Sequence, residues 1–153
     1  MTRAITLAVL VLCILSLVGC MAWARLYPVQ GPMAAQTPTP VLKATLNGAF
    51  NSGSISVKLP GGEICKGKWN VTSDPDRSKK MASVWDAVYG DGFFQSRVLG
   101  EEYAQADVSG SQGTTLKIAM YKPNTRLAQE NSPQSIRGVA SDSNGNLYKM
   151  VFQ

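Results

Sequence analysis

Four places in this 153-residue chain set side chains where chemistry could be done. Cys20 closes the oily run "LSLVGC" directly after small Gly19, and its sulfur is a nucleophile able to form a thioether. Cys65 in "ICKGKW" stands near Lys66 and Lys68, and nearby cations lower a thiol pKa. Glu101 and Glu102 offer adjacent carboxylates, and Asp142, Asn144 and Asn146 alternate as the first ligands of a calcium loop do.

Three of the four weaken on inspection. Strand alternation points Lys66 and Lys68 to the face opposite Cys65, so Cys65 reads as a core residue. Glu101 and Glu102 would point opposite ways on a strand and follow Gly100, as turn and surface charges do. A calcium loop starting at Asp142 requires Gly at its sixth position and Glu at its twelfth, where the chain has Leu147 and Gln153. The chain has no histidine, which removes Ser-His-Asp and Cys-His catalysis and His-ligated zinc. No serine is followed three residues later by lysine. The reading is a protein that is not an enzyme, with no catalytic residue, no metal site and no cofactor.

Cys20 survives because of what precedes it. Arg3 is followed by an apolar stretch from Ala4 to Val18 broken only by Thr6 and Ser16, the layout of a secretory signal. Leu17-Val18-Gly19-Cys20 resembles the lipobox of bacterial lipoproteins. That resemblance implies cleavage between Gly19 and Cys20, lipidation of Cys20, and anchoring in a membrane by acyl chains, two or more of which hold stably. Met21 in place of aspartate implies the outer membrane, facing the periplasm, if the organism is Gram-negative. The alternative is an uncleaved transmembrane helix, since Ala4 to Ala24 matches the roughly 20 residues that cross a bilayer, with Trp23 at the interface.

The expected organisation is a signal peptide at 1–19, a lipidated N-terminus and Pro-rich linker at 20–41, and a β-rich domain at 42–153. Extended at about 3.1 Å per residue, the stretch from Gly31 to Pro40 would reach roughly 30 Å from the bilayer. Tyr27 and its apolar neighbours in "RLYPVQ" either pack on the domain or sit at the membrane surface. Period-two alternation places Ile55, Val57 and Leu59 on one face, and likewise Cys65, Gly67, Trp69 and Val71; Ala104, Ala106 and Val108; and Leu116, Ile118 and Met120. Asn47-Gly48, Pro60-Gly61-Gly62, Asp91-Gly92, Gly110 to Gly113 and Asn144-Gly145 read as turns between strands. One short helix is expected after Asp74, with Pro75 at its first position and Gly90 at its end, presenting Met81, Val84, Trp85 and Val88. The predicted fold is mainly β, a small antiparallel barrel or sandwich of about seven or eight strands, the helix covering an open edge or end.

The chain resembles a group of small bacterial lipoproteins without assigned activity. The resemblance is carried by "LVGC", "RLYPVQGP", "LNGAFNSGSISVKLPGGEICKGKW" and "GVASDSNGNLYKMVF", and it brings no functional residues beyond Cys20. The formal charge of +5, or +4 without Arg3, is too low for nucleic-acid binding and suits weak attraction to anionic head groups. Arg77, Lys79 and Lys80 are the candidate binding surface. Two readings follow. One is a non-catalytic envelope module, held in the membrane through Cys20 and meeting a protein, glycan or lipid partner. The other is a barrel carrying a small apolar ligand, which an interior crowded by Trp69, Trp85 and Phe93 would exclude.

Overall fold

The computed structural model describes residues 20–49, 51–101, 103–123 and 135–153. The signal segment 1–19, with Gly19, lies outside them, as does Glu102. Eight antiparallel strands, β1 (Cys20–Gln30), β2 (Leu42–Ala49), β3 (Ser52–Lys58), β4 (Ile64–Thr72), β5 (Tyr103–Ser109), β6 (Thr115–Tyr121), β7 (Arg137–Asp142) and β8 (Leu147–Phe152), pair in chain order and close into a barrel. Closure comes from β1, which pairs with β2 on one side and β8 on the other.

The expected linker is therefore corrected. Cys20–Gln30 is wall, because Ala22, Ala24 and Leu26 alternate inward and the free edges of β2 and β8 both need a hydrogen-bonding partner. The stretch from Gly31 is a loop joining β1 to β2, turned on the bonds Ala34 N–H to Gly31 C=O and Gln36 N–H to Met33 C=O. It is no spacer. Because Cys20 to Ala24 is strand, a membrane helix cannot run to Ala24 either, and among the described residues no helix is long and apolar enough to cross a membrane.

Alternation sends one face of every strand into a packed interior. Leu26, Ile55, Val57, Leu116, Ile118 and Met150 are all buried there, as befits eight strands, whose bore side chains can fill. Cys65 is fully buried among them, and burial pushes its thiol up, with Glu63 and Asp142 adding to the shift.

The helical stretch resolves into α1 (Pro75–Lys79), α2 (Ala82–Tyr89) and a π-helical turn (Phe94–Val98). Asp74 caps α1 by accepting from the Asp76 N–H at 3.0 Å, Pro75 opens it, and Gly90 ends α2, all at the expected positions. A closed barrel has no edge to cover. Instead α2 lies on the outer wall over β7 and β8, in a cluster with outward-facing Ala119 and Tyr121 of β6 and Val139 of β7. Trp85 is the centre of this second core, stacked on Tyr89 at 5.7 Å between ring centroids and meeting Tyr121 edge-on at 5.4 Å. Such pairs contribute about 0.5–1.5 kcal/mol each beyond their buried area.

Three of the five turn signals join strands as expected. Asn47-Gly48, by contrast, lies inside β2, and the β2–β3 turn falls between Ala49 and Ser52. Asp91-Gly92 connects α2 to the π-helical turn.

Candidate functional site

The two ends of the barrel differ, and the difference is made by a few residues. At the end where β1 enters the β1–β2 loop and β8 begins, polar side chains form a plug. Asp142 Oδ1 accepts from the backbone N–H groups of Asn144 and Asn146, both at 2.9 Å, while Oδ2 accepts from Asn146 Nδ2 at 2.8 Å and the Tyr148 hydroxyl at 2.6 Å. Asn146, buried to 1 % exposure, uses its Oδ1 to accept from the Met33 N–H at 2.8 Å, pinning the β1–β2 loop across this end. Burial and the Asp142 carboxylate push the Tyr148 hydroxyl up, so it stays a donor. The residues that looked like calcium ligands thus serve a hairpin and its lid. Among the described residues no cluster of three or more His, Cys, Asp or Glu side chains could hold a metal.

Glu63 adds a second polar clamp at the same end. Its carboxylate accepts from Thr114 Oγ1 and from the Gln112 N–H, each at 2.7 Å, tying the β3–β4 turn to the β5–β6 turn. The Thr114 bond, helped by the Gln112 N–H, outweighs partial burial and holds its carboxyl below the usual range.

Among the described residues, none plugs the opposite end. The interior layer that carries leucine and isoleucine deeper in the barrel carries Ala22, Gly48 and Ala104 here, and the missing side-chain volume leaves a cavity of about 480 Å³. Its walls include Trp69, Met120, Ile136 and Phe152; among the described residues lining it, Lys122 alone is charged. Burial pushes the hydroxyls of Tyr103 and Tyr121, at the rim, up, so they remain neutral. The mouth is chemically an apolar receptacle.

A row of paired residues crosses the rim. In register across β1 to β5 stand Cys20, Gly48, Gly53, Trp69 and Ala106. Both glycines leave room for the indole and for neighbouring backbone, the Ser52 carbonyl at Gly48 and the Asn47 carbonyl at Gly53. A Cβ on Gly48 would come within 2.7 Å of Trp69 Cζ2, and one on Gly53 within 2.7 Å of Nε1. Seated against them, Trp69 donates from Nε1 to the Asn47 carbonyl at 3.3 Å and leaves the mouth unblocked. Trp85 and Phe93, expected as possible interior fillers, belong to the outer core.

Of the residues singled out from sequence, Cys20 is the first residue of β1, at the mouth end. Arg77, Lys79 and Lys80 are on or just after α1, away from the mouth. Lys79 pairs with Asp76 at 3.1 Å with both side chains well exposed, and the Arg77 carbonyl accepts from Gln105 Nε2 at 2.9 Å. Arg77 and Lys80 border a shallow cleft that also holds Asp107, which dilutes their charge. The mouth itself was missed; its one local signal is the pair of glycines flanking the β2–β3 turn. Comparison with protein-family models, curated proteins and solved structures finds no match to this chain.

Proposed function

We propose that this protein is a lipid-anchored cell-envelope module, held through Cys20, that works without catalysis by taking an apolar group into the open mouth of its barrel. The observation that carries the reading is the cavity of about 480 Å³, which falls within the roughly 300–1,000 Å³ of ligand-binding clefts. It is walled by apolar side chains and closed at its far end by the Asp142 plug. Placement supports the same reading: Cys20 begins the strand that borders the mouth and is paired with Gly48 at its rim. A diacylglyceryl group on Cys20 would bring the mouth to the bilayer, the source of apolar chains in an envelope. If the organism is Gram-negative, Met21 assigns the anchor to the outer membrane, with the barrel in the periplasm.

Two measurements on the full-length protein test this. Cys20→Ala should abolish both cleavage and acyl labelling; a variant that matures to the same size overturns the anchor. Organic extraction of protein purified from membranes should release an apolar compound held in stoichiometric amount. Ala104→Phe, which fills the mouth, should lose that compound while keeping a strand-dominated circular dichroism spectrum. Equal recovery from both proteins overturns the binding reading.

A further inference from the structure

We propose that the outer wall formed by β1 to β4 is a docking surface for an anionic lipid bilayer. From Cys20 to Ser73 the chain has five cations, Arg25, Lys43, Lys58, Lys66 and Lys68, and one carboxylate, Glu63. All five cations are exposed on these four strands, whereas Glu63 is buried in its clamp with Thr114 and Gln112. The wall therefore carries an excess of positive charge although the whole chain is only mildly basic; at its β4 border exposed Asp107 of β5 stands across from Lys68, so Arg25, Lys43, Lys58 and Lys66 carry most of that excess. Among the described residues none of the five is in an ion pair.

Register makes the arrangement more pointed. Arg25 stands directly across from Lys43, and Lys43 directly across from Lys58, a ladder of three like charges on neighbouring strands. Like charges in that relation destabilise a sheet. An anionic counter-surface relieves the repulsion, so the free barrel is held at a cost that docking removes. The inference concerns the side of the barrel, not its cavity; it rests on the anchor reading only for proximity to a membrane.

Neighbouring side chains select a bilayer over a soluble polyanion. Met21 and Trp23 are each 57 % exposed, and Tyr27 and Val29 beside Arg25 on β1 are exposed too. Aromatic side chains with an apolar body and a polar tip favour the interface of a membrane, where lysines can reach phosphate. A polyanion in water offers nothing apolar for Met21 and Val29. The surface continues to Cys20, the proposed point of attachment on the same strand. The Arg77, Lys79 and Lys80 group lacks this company.

The test is lysine acetylation read by mass spectrometry on the full-length protein, reconstituted in vesicles of phosphatidylglycerol or of phosphatidylcholine. Lys43, Lys58, Lys66 and Lys68 should label several-fold more slowly in phosphatidylglycerol, and added salt should restore the rate. Lys79 and Lys80, at the end of α1 near β5 and β6, should change little. Equal rates in the two lipids, equal slowing of every lysine, or protection by dextran sulfate but not by vesicles would each overturn the proposal. The mass of the Cys20 peptide from the same sample reports acylation separately. Protein lacking the acyl group is added to preformed vesicles of the same two lipids and labelled in the same way, so that a failed anchor and a failed docking surface are read apart.

Discussion

Gly53 stands directly across the β3–β4 pair from Trp69, and the indole Nε1 occupies space that a Cβ on Gly53 would enter at 2.7 Å. The glycine is thus a seat for the ring, which holds the indole against the wall beside the mouth. Gly53→Ala must also move backbone, since its Cβ would meet the Asn47 carbonyl at 2.0 Å. Overpacking of this kind costs about 1–3 kcal/mol. Denaturant unfolding should show that loss, and the extracted apolar compound should fall because the displaced indole moves into the mouth.

At the closed end, Asn146→Ala should be more damaging than Tyr148→Phe. The first strands the Met33 N–H and removes one donor from Asp142, whereas the second leaves the carboxylate with three donors. Each stranded buried group costs about 1–3 kcal/mol, and loss of the Tyr148 bond alone about 1 kcal/mol. Urea midpoints of the two variants, compared with the unaltered protein, check the order. A reversed order removes the plug as the reason this end is shut.

Stability should decline in acid partly through Glu63. Its folded carboxyl is held below the usual range, chiefly by Thr114, so the bound state contributes stability above the unfolded pKa. That contribution disappears as pH falls through the folded value. Glu63→Gln should flatten the fall in melting temperature on acidification below the ordinary carboxylate range, with little change in its slope near neutrality. Parallel curves for the two proteins would contradict the clamp.

A fragment beginning at residue 42 should not fold as the full barrel does. It lacks β1 and would expose two strand edges, β2 and β8, together with the apolar interior that Ala24 and Leu26 cover. Aggregation, or fast reaction of Cys65 with a bulky thiol reagent, is the expected outcome. In the full-length protein that thiol is buried and raised in pKa, and it should react only once denaturant is added.

Which side chains face inward was decided locally, and the sequence suffices to read it. Ile55 and Val57, Leu116 and Ile118, and Cys65 and Trp69 obey a period of two that backbone geometry imposes on any strand, and Asp74, Pro75 and Gly90 act through bonds within a few residues of themselves. Closure is a property of the whole circumference. The segment "MAWARLYPVQ", with small inward alanines and Pro28, is a weak strand alone and becomes one because β2 and β8 each present an unpaired edge to it. The spacing of Met81, Val84 and Trp85 defines the apolar side of a helix, but only packing chooses the outer wall of β7 and β8 as its seat. Asn47-Gly48 has the composition of a turn and lies in a strand, because the glycine serves the ring of Trp69, 21 residues further on from Gly48. The mouth is the volume left when Ala22, Gly48 and Ala104, distant in the chain, share one layer of the barrel, and the cation ladder exists because Arg25, Lys43 and Lys58 share one register row. Neither has a local pattern, because register between strands is set only when the barrel closes.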